Sequence, residues 1–208
     1  MYDSEMKLYY VHDPMCSWCW AFRPVLLKLT AELPTDLTFI RLLGGLAPDS
    51  NDPMPDQTRD YVIDNWRRIQ EQVPETSFNY QFWKVCQPRR STYPACRAVI
   101  AAKKQGSKYD EAMTYAIQKA YYLQARNPSD NETLIELASE IGLHRNQFCQ
   151  DLLSKEVNEQ LMQEIKTARK LKLNSFPSLL LLKNEQSIRI QHNYLDANMM
   201  INEILEAM

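Results

Sequence analysis

The sequence has no long Lys/Arg run, no apolar stretch of bilayer length and no even set of cysteines, and each absence removes a class of function. Its 24 Lys and Arg stand against 26 Asp and Glu for a net charge of −2. Arg67-Arg68 and Arg89-Arg90 are only doublets, too little for an electrostatic nucleic-acid footprint. No segment approaches the roughly 20 apolar residues that cross a bilayer. Leu179-Leu180-Leu181-Leu182 is too short for that and reads as a buried strand. The opening Met-Tyr-Asp-Ser-Glu-Met-Lys lacks the basic start and apolar core of a secretory signal, so a cytoplasmic protein without membrane or nucleic-acid partners is expected. Five cysteines, at positions 16, 19, 86, 96 and 149, cannot all pair within one chain. A reducing compartment with one reactive pair is simpler than a disulfide-stapled scaffold.

What remains is a globular protein of 208 residues, 45% hydrophobic and 24% charged, long enough to bury a full core. Its most informative segment is Cys16-Ser17-Trp18-Cys19, set between the apolar run Leu8-Tyr9-Tyr10-Val11 and a helix-compatible stretch reaching Leu33. A strand that delivers two cysteines three positions apart to the first turn of a helix is the arrangement of a dithiol redox site. Free backbone N–H groups and the helix dipole stabilise a thiolate on Cys16, which makes it the attacking sulfur. Cys19, one turn further on the same side, is then the resolving thiol. A zinc half-site is the competing reading, but no second CxxC or nearby Cys/His pair supplies further ligands, and no metal is expected.

The periodicity predicts a strand over Met6–His12, a helix over Ser17–Leu33 bent at Pro24, and a strand over Leu37–Leu43 ended by Gly44-Gly45. That order suggests a parallel β-α-β unit. A loop from Ala47 to Asp56 follows, and the chain then offers helices but no strand as far as Arg169. Helices are expected over 60–70, 96–104, 110–124, 146–153 and 157–171, and Ser129-Asp130-Asn131-Glu132 reads as a capping signature that opens a further helix to Glu140, with Gly142 as its stop. After Pro177, Ser178–Leu182 and Ser187–Gln191 read as a hairpin across Lys183-Asn184-Glu185-Gln186, and Asp196 caps a final amphipathic helix. Strand material lies at both ends, which divides the chain into residues 1–50, an inserted helical domain over 57–155, and residues 156–208.

Three pieces of the sequence resemble the thioredoxin superfamily and, within it, the DsbA-like group. They are Asp13-Pro14-Met15-Cys16-Ser17-Trp18-Cys19-Trp20-Ala21-Phe22-Arg23-Pro24, the long helical insertion, and Asn174-Ser175-Phe176-Pro177-Ser178-Leu179. The opening is especially similar to the cytosolic branch of FrnE and 2-hydroxychromene-2-carboxylate isomerase. The resemblance implies an α/β thioredoxin-like fold with a helical insertion, and it puts Pro177 in the family's cis-proline place with Phe176 before it. Isomerases and kappa-type glutathione transferases of that clan use serine where this chain has Cys16, so two cysteines point back to redox chemistry. Where thioredoxin and DsbA carry a buried acid six positions before the first cysteine, this chain has Tyr10. His12, Asp13 or water are the substitutes for its acid-base role.

The resemblance implies a thiol-disulfide oxidoreductase with Cys16 and Cys19 catalytic and Ser17, Trp18, Phe176 and Pro177 against the substrate. Its partners are protein or small-molecule thiols and disulfides. No cofactor is held tightly, and glutathione or another small thiol acts as cosubstrate. One alternative is a glutathione-dependent transferase or isomerase acting on small aromatic compounds, and another is a non-enzymatic peptide-binding or chaperone-like module. Several residues have quieter readings beside their functional ones. Trp18 is a substrate contact or a packing residue at the helix start. Cys86 and Cys96 are buried thiols or a second pair, Cys149 is packing, and His144 and His192 are surface or edge residues. Trp66, Trp83, Tyr61, Tyr80 and Tyr93 are core residues of the insert, or some of them line a groove over the dithiol.

Overall fold

A computed structural model describes residues 6–184 and 186–208, so the N-terminal segment 1–5 and Glu185 of the expected turn lie outside the described residues. Strand β1 (Met6–His12) alternates Leu8 and Tyr10 on one face with Tyr9 and Val11 on the other, and both faces are covered. Helix α1 (Ser17–Ala31) follows, with Cys16 as its extended N-cap. It stops two residues short of Leu33 because Pro34 disfavours helical backbone in the residue before it. Strand β2 (Leu37–Leu43) returns parallel to β1, with Tyr10 opposite Arg41.

The chain then supplies α2 (Asp56–Gln72), α3 (Phe82–Val85), α4 (Tyr93–Lys104), α5 (Lys108–Tyr122), α6 (Asn131–Glu140), α7 (Arg145–Leu152) and α8 (Lys155–Lys170). Helix α4 begins three residues before its expected start because Pro94 fits the first turn, where its missing N–H costs nothing. The capping signature before α6 is corrected. Ser129 donates its hydroxyl to the Ser91 carbonyl, and the Asp130 carboxylate pairs with Arg89 at 2.6 Å, so neither side chain caps the helix. Tertiary partners outcompete the local ones there. Past α6, Gly142 takes φ +83, and the Leu143 N–H returns to the Ala138 carbonyl to close the helix.

Strands β3 (Ser178–Lys183) and β4 (Gln186–Ile190) form an antiparallel hairpin, with Asn184 at φ +56 in its turn. The described residues give a four-stranded sheet in the order β2-β1-β3-β4, with β3 antiparallel to β1. Helix α9 (Ala197–Ala207) closes the chain, its first turn capped by the Asp196 carboxylate accepting from Asn198 N–H at 2.9 Å. Phe22, Val25, Leu26 and Leu29 of α1 and Met200, Ile201 and Ile204 of α9 cover one face of the sheet. On the other face, Ala168 of α8 packs with Val11, Leu42 and Leu180. The same α8 gives Leu161 and Ile165 to a second core around Trp66, Val99, Ile117 and Phe148. That helical core also takes in Met15 and Leu43, so it reaches the end of β1 where the dithiol sits.

Candidate active site

The β1–α1 turn is pinned from several sides before the cysteines begin. Asp13 is fully enclosed, and its carboxylate accepts from Met15 N–H (2.8 Å), Leu46 N–H (2.7 Å) and the Thr92 hydroxyl (2.6 Å), with the Cys96 thiol at 3.5 Å. Burial raises the ionisation of Asp13 and these hydrogen bonds oppose the rise. The Tyr122 hydroxyl, at the end of α5, donates to the Met15 carbonyl at 2.7 Å and so ties the helical layer to the same turn. Sequence reasoning passed over Thr92 and Tyr122, because their partners are some 79 and 107 positions away.

Cys16 is 7% exposed and Cys19 1%, one turn further into α1. Burial pushes the Cys19 thiol well up. Its hydrogen bond to Cys16 acts in the same direction, and the Asp13 backbone N–H pulls the other way. The Cys16 thiol reaches the Phe176 carbonyl at 3.5 Å, joining residues 160 positions apart. Phe176 precedes Pro177 through a cis peptide. Its ring lies where a side chain on Gly44 would go: a β-carbon there would meet Phe176 Cε1 at 2.0 Å. Gly44 in turn donates its N–H to the His12 carbonyl at 2.7 Å. The expected residues Cys16, Cys19, Asp13, Phe176 and Pro177 therefore meet at one end of the sheet.

Three tyrosines surround the sulfurs. Tyr10 of β1, Tyr122 of α5 and Tyr194 after β4 all ionise well above the usual range, chiefly through burial, with Cys16 and Cys19 adding to the rise. Trp18 is half-buried against Tyr194, ring centroids 5.1 Å apart, so the helix-start aromatic has a packing partner. Ser17 is half-buried beside it. His12 is 1% exposed, stacks on Tyr10 at 4.9 Å, and its Nδ1 has no hydrogen-bond partner. Burial, then Arg41 and Lys103, push its ionisation well down, so it is a neutral ring. His192, just past the edge strand β4, is half-buried and packs edge-on to Phe22 and Tyr194, at 6.0 and 5.2 Å, whereas His144 is exposed.

The remaining expected features fall elsewhere. Cys86 donates to the Ala125 carbonyl at 3.0 Å while Cys96 faces Asp13, and all five cysteines are unpaired. Trp66 is the hub of a ring cluster with Phe78 at 4.7 Å and Trp83 at 5.0 Å, and Tyr61 is 60% exposed. None of the five aromatics singled out in the insert lines the groove of about 870 Å³ beside α1. Trp20, Tyr115, Tyr194, Leu123 and the segment 73–77 line it instead. Among the described residues, no group of three His, Cys, Asp or Glu is arranged to hold a metal, and no helix is long and apolar enough to cross a membrane.

A parallel β-α-β unit, an antiparallel hairpin after a helical insertion and a dithiol at a helix N-terminus define an α/β thioredoxin-like fold of the DsbA-like kind. Solved structures share it. One is a candidate protein disulfide isomerase from Nitrosomonas europaea, with TM-score 0.82, 24% identity and 98% of this chain and 97% of that one covered. Another is the cytosolic disulfide reductase DsbM from Pseudomonas aeruginosa, with TM-score 0.77, 21% identity and coverage of 97% and 98%. DsbM has also been solved with glutathione, at TM-score 0.75 and 20% identity. The chain belongs to the thioredoxin family, whose profile, described as Thioredoxin, matches residues 9–199. Among curated proteins it is similar to the ClpXP adapter protein SpxH of Halalkalibacterium halodurans, 25% identical over 198 residues and 92% of this chain. The chain spans 64% of that relative's length.

Proposed function

We propose that the protein is a cytoplasmic thiol-disulfide oxidoreductase of the branch that includes FrnE. The observation that carries this reading is the Cys16 thiol set 3.5 Å from the Phe176 carbonyl, with the buried Cys19 in the first turn of α1 behind it. A sulfur at the helix end, beside a backbone acceptor from a distant loop, suits attack on a disulfide whose chain lies along that loop. Cys16 thiolate forms a bond to one substrate sulfur and expels the other as thiolate. Cys19 then attacks Cys16, releases the second substrate thiol and leaves a Cys16–Cys19 disulfide, a transfer of two electrons from protein to substrate. Two glutathione molecules return the dithiol and leave as glutathione disulfide. The reverse sequence oxidises thiols. The glutathione complex and the cytosolic description of DsbM support both the cosubstrate and the compartment. In this reading residues 1–50 and 156–208 form the redox unit, and residues 57–155 roof it. Ser17, Trp18, Phe176 and Pro177 face the substrate.

Trapping tests the reading. Cys19→Ala incubated with glutathione disulfide or an oxidised unfolded protein accumulates a mixed disulfide at Cys16, and Cys16→Ala accumulates none. Failure of Cys19→Ala to trap either substrate, together with no turnover by the unsubstituted protein, overturns it. The likeness to SpxH favours a second reading, a binding module in which the cysteines are incidental. Partner capture that is unchanged in Cys16→Ser/Cys19→Ser, with no disulfide turnover by the unsubstituted protein, selects it.

A further inference from the structure

We propose that Thr92, at the start of α4 in the helical insert, is a positioning residue for the dithiol: its hydroxyl fixes the Asp13 carboxylate, and Asp13 fixes the turn that carries Cys16. The inference rests on the reading above, in which Cys16 makes the first attack. A threonine at a helix N-cap ordinarily turns its oxygen to an N–H of the first turn. Thr92 occupies that place in α4 and makes no such bond. Its hydroxyl instead donates to Asp13 Oδ2 at 2.6 Å and accepts from Ala47 N–H at 3.1 Å, and the residue is only 3% exposed. Cys96, one turn further along α4, brings its thiol to 3.5 Å from the same carboxylate oxygen. The first turn of the helix therefore meets the dithiol turn with two donors, and the acid they reach is fully enclosed.

From Asp13 the connection to the sulfur is short. Oδ1 accepts from Met15 N–H at 2.8 Å, and the Asp13 carbonyl accepts from Cys16 N–H at 3.0 Å. Oδ2 also accepts from Leu46 N–H at 2.7 Å. Leu46 lies two positions beyond Gly44, the glycine against the Phe176 ring. One carboxylate oxygen thus gathers the insert and the loop after β2, and the other holds the turn before Cys16. The Thr92 hydroxyl has its partners in Asp13 and Ala47, so it acts on Cys16 only through this turn. Hydrogen bonds to a buried carboxylate are short and strong, and loss of one donor leaves charge unsupported where water does not reach. Asp13 then shifts toward the donors that remain. The Cys16 sulfur moves with the turn, away from the line on which it meets a substrate disulfide.

Thr92→Val removes the hydroxyl and keeps the branched shape. In a Cys19→Ala background it slows formation of the Cys16 mixed disulfide with glutathione disulfide by about tenfold, through misplacement of the attacking atom. Thr92→Ser keeps the hydroxyl and restores the rate. Val157→Ala opens a cavity in the same helical core and lowers the urea midpoint, with the rate unchanged. Asp13→Asn slows the same step, and adding Thr92→Val slows it no further, because Thr92 acts through Asp13. Amide exchange reads the turn without any thiol chemistry: it quickens at Met15 and Leu46 in Thr92→Val and not in Val157→Ala. In the unsubstituted protein the Thr92 hydroxyl proton exchanges slowly enough to be seen by NMR. An unchanged rate in Thr92→Val, equal slowing in Val157→Ala, no recovery in Thr92→Ser, additive losses with Asp13→Asn, or a freely exchanging hydroxyl overturns the proposal. If Cys19→Ala with Thr92 intact traps nothing, the redox reading fails instead, and amide exchange at Met15 and Leu46 still decides whether Thr92 holds the turn.

Discussion

The Phe176 ring occupies the volume that a β-carbon on Gly44 would claim, at 2.0 Å from Cε1 and 2.1 Å from Cζ. The glycine ending β2 and the residue whose carbonyl receives the Cys16 thiol are thus a fitted pair. Gly44→Ala forces the ring to swing aside, and the carbonyl beside Cys16 moves with its residue. Overpacking of this kind costs about 1–3 kcal/mol, read as a lower urea midpoint. Mixed-disulfide formation in Cys19→Ala falls when Gly44→Ala is added. An unaltered rate would show that the ring can move without disturbing the carbonyl.

The two cysteines differ in reactivity in a direction that burial sets. Cys19 is nearly inaccessible, and burial and Cys16 both hold its proton on. The reduced protein treated with a limiting alkylating agent at neutral pH therefore labels Cys16 well before Cys19, and tandem mass spectrometry of the peptide carrying both resolves the order. Labelling of Cys19 first would reverse the assigned roles.

Acid sensitivity follows from His12. Its folded ionisation lies well below the ordinary 6.5 because burial, Arg41 and Lys103 all disfavour the cation. As pH falls below about 6.5, the unfolded chain takes up a proton that the folded chain refuses, so stability drops by about 1.4 kcal/mol per pH unit until the folded value is reached. His192, lowered by burial and Arg189, adds in the same direction. His12→Phe keeps a ring stacked on Tyr10 and flattens this part of the profile. Urea unfolding from pH 7 down to about pH 5 measures the slope, and an unchanged slope in the variant would remove His12 as its source.

Tyr122→Phe deletes the donor to the buried Met15 carbonyl while leaving the ring in place. An unsatisfied buried acceptor costs about 1–3 kcal/mol, so the urea midpoint falls. Amide exchange at the 13–16 turn quickens more than that of β3. Equal acceleration at both would show a global loss rather than a loosened dithiol turn.

The sheet and the dithiol were legible because their signals are local. Strand β1 and strand β2 carry apolar residues at strand spacing, Gly44-Gly45 ends the second, and CxxC follows the breaker Asp13-Pro14 within one turn. The parallel pairing then follows from a strand, a helix and a strand in sequence. What escaped notice depends on partners far along the chain. Asp130 looks like a helix cap until Arg89 reaches it, and Ser129 until Ser91 does. His192 is legible as an edge residue, but its packing on Phe22 and Tyr194 is not. The four-residue α3 has too few turns to leave a periodic trace.

Strand β3, the neighbour of β1 in the sheet, and the Phe176 carbonyl both belong to the far end of the chain from the dithiol. During synthesis the two cysteines leave the ribosome while the strand that flanks them and the loop that faces them are still untranslated. For that interval β1 has an open edge, and the Cys16 thiol has no carbonyl beside it. The sulfurs are then exposed to any oxidant in a setting unlike the finished one. A nascent chain held in a reducing milieu until residue 190 has emerged enters its fold as a dithiol, with β3 able to cover the open edge of β1 and β4 able to pair with β3.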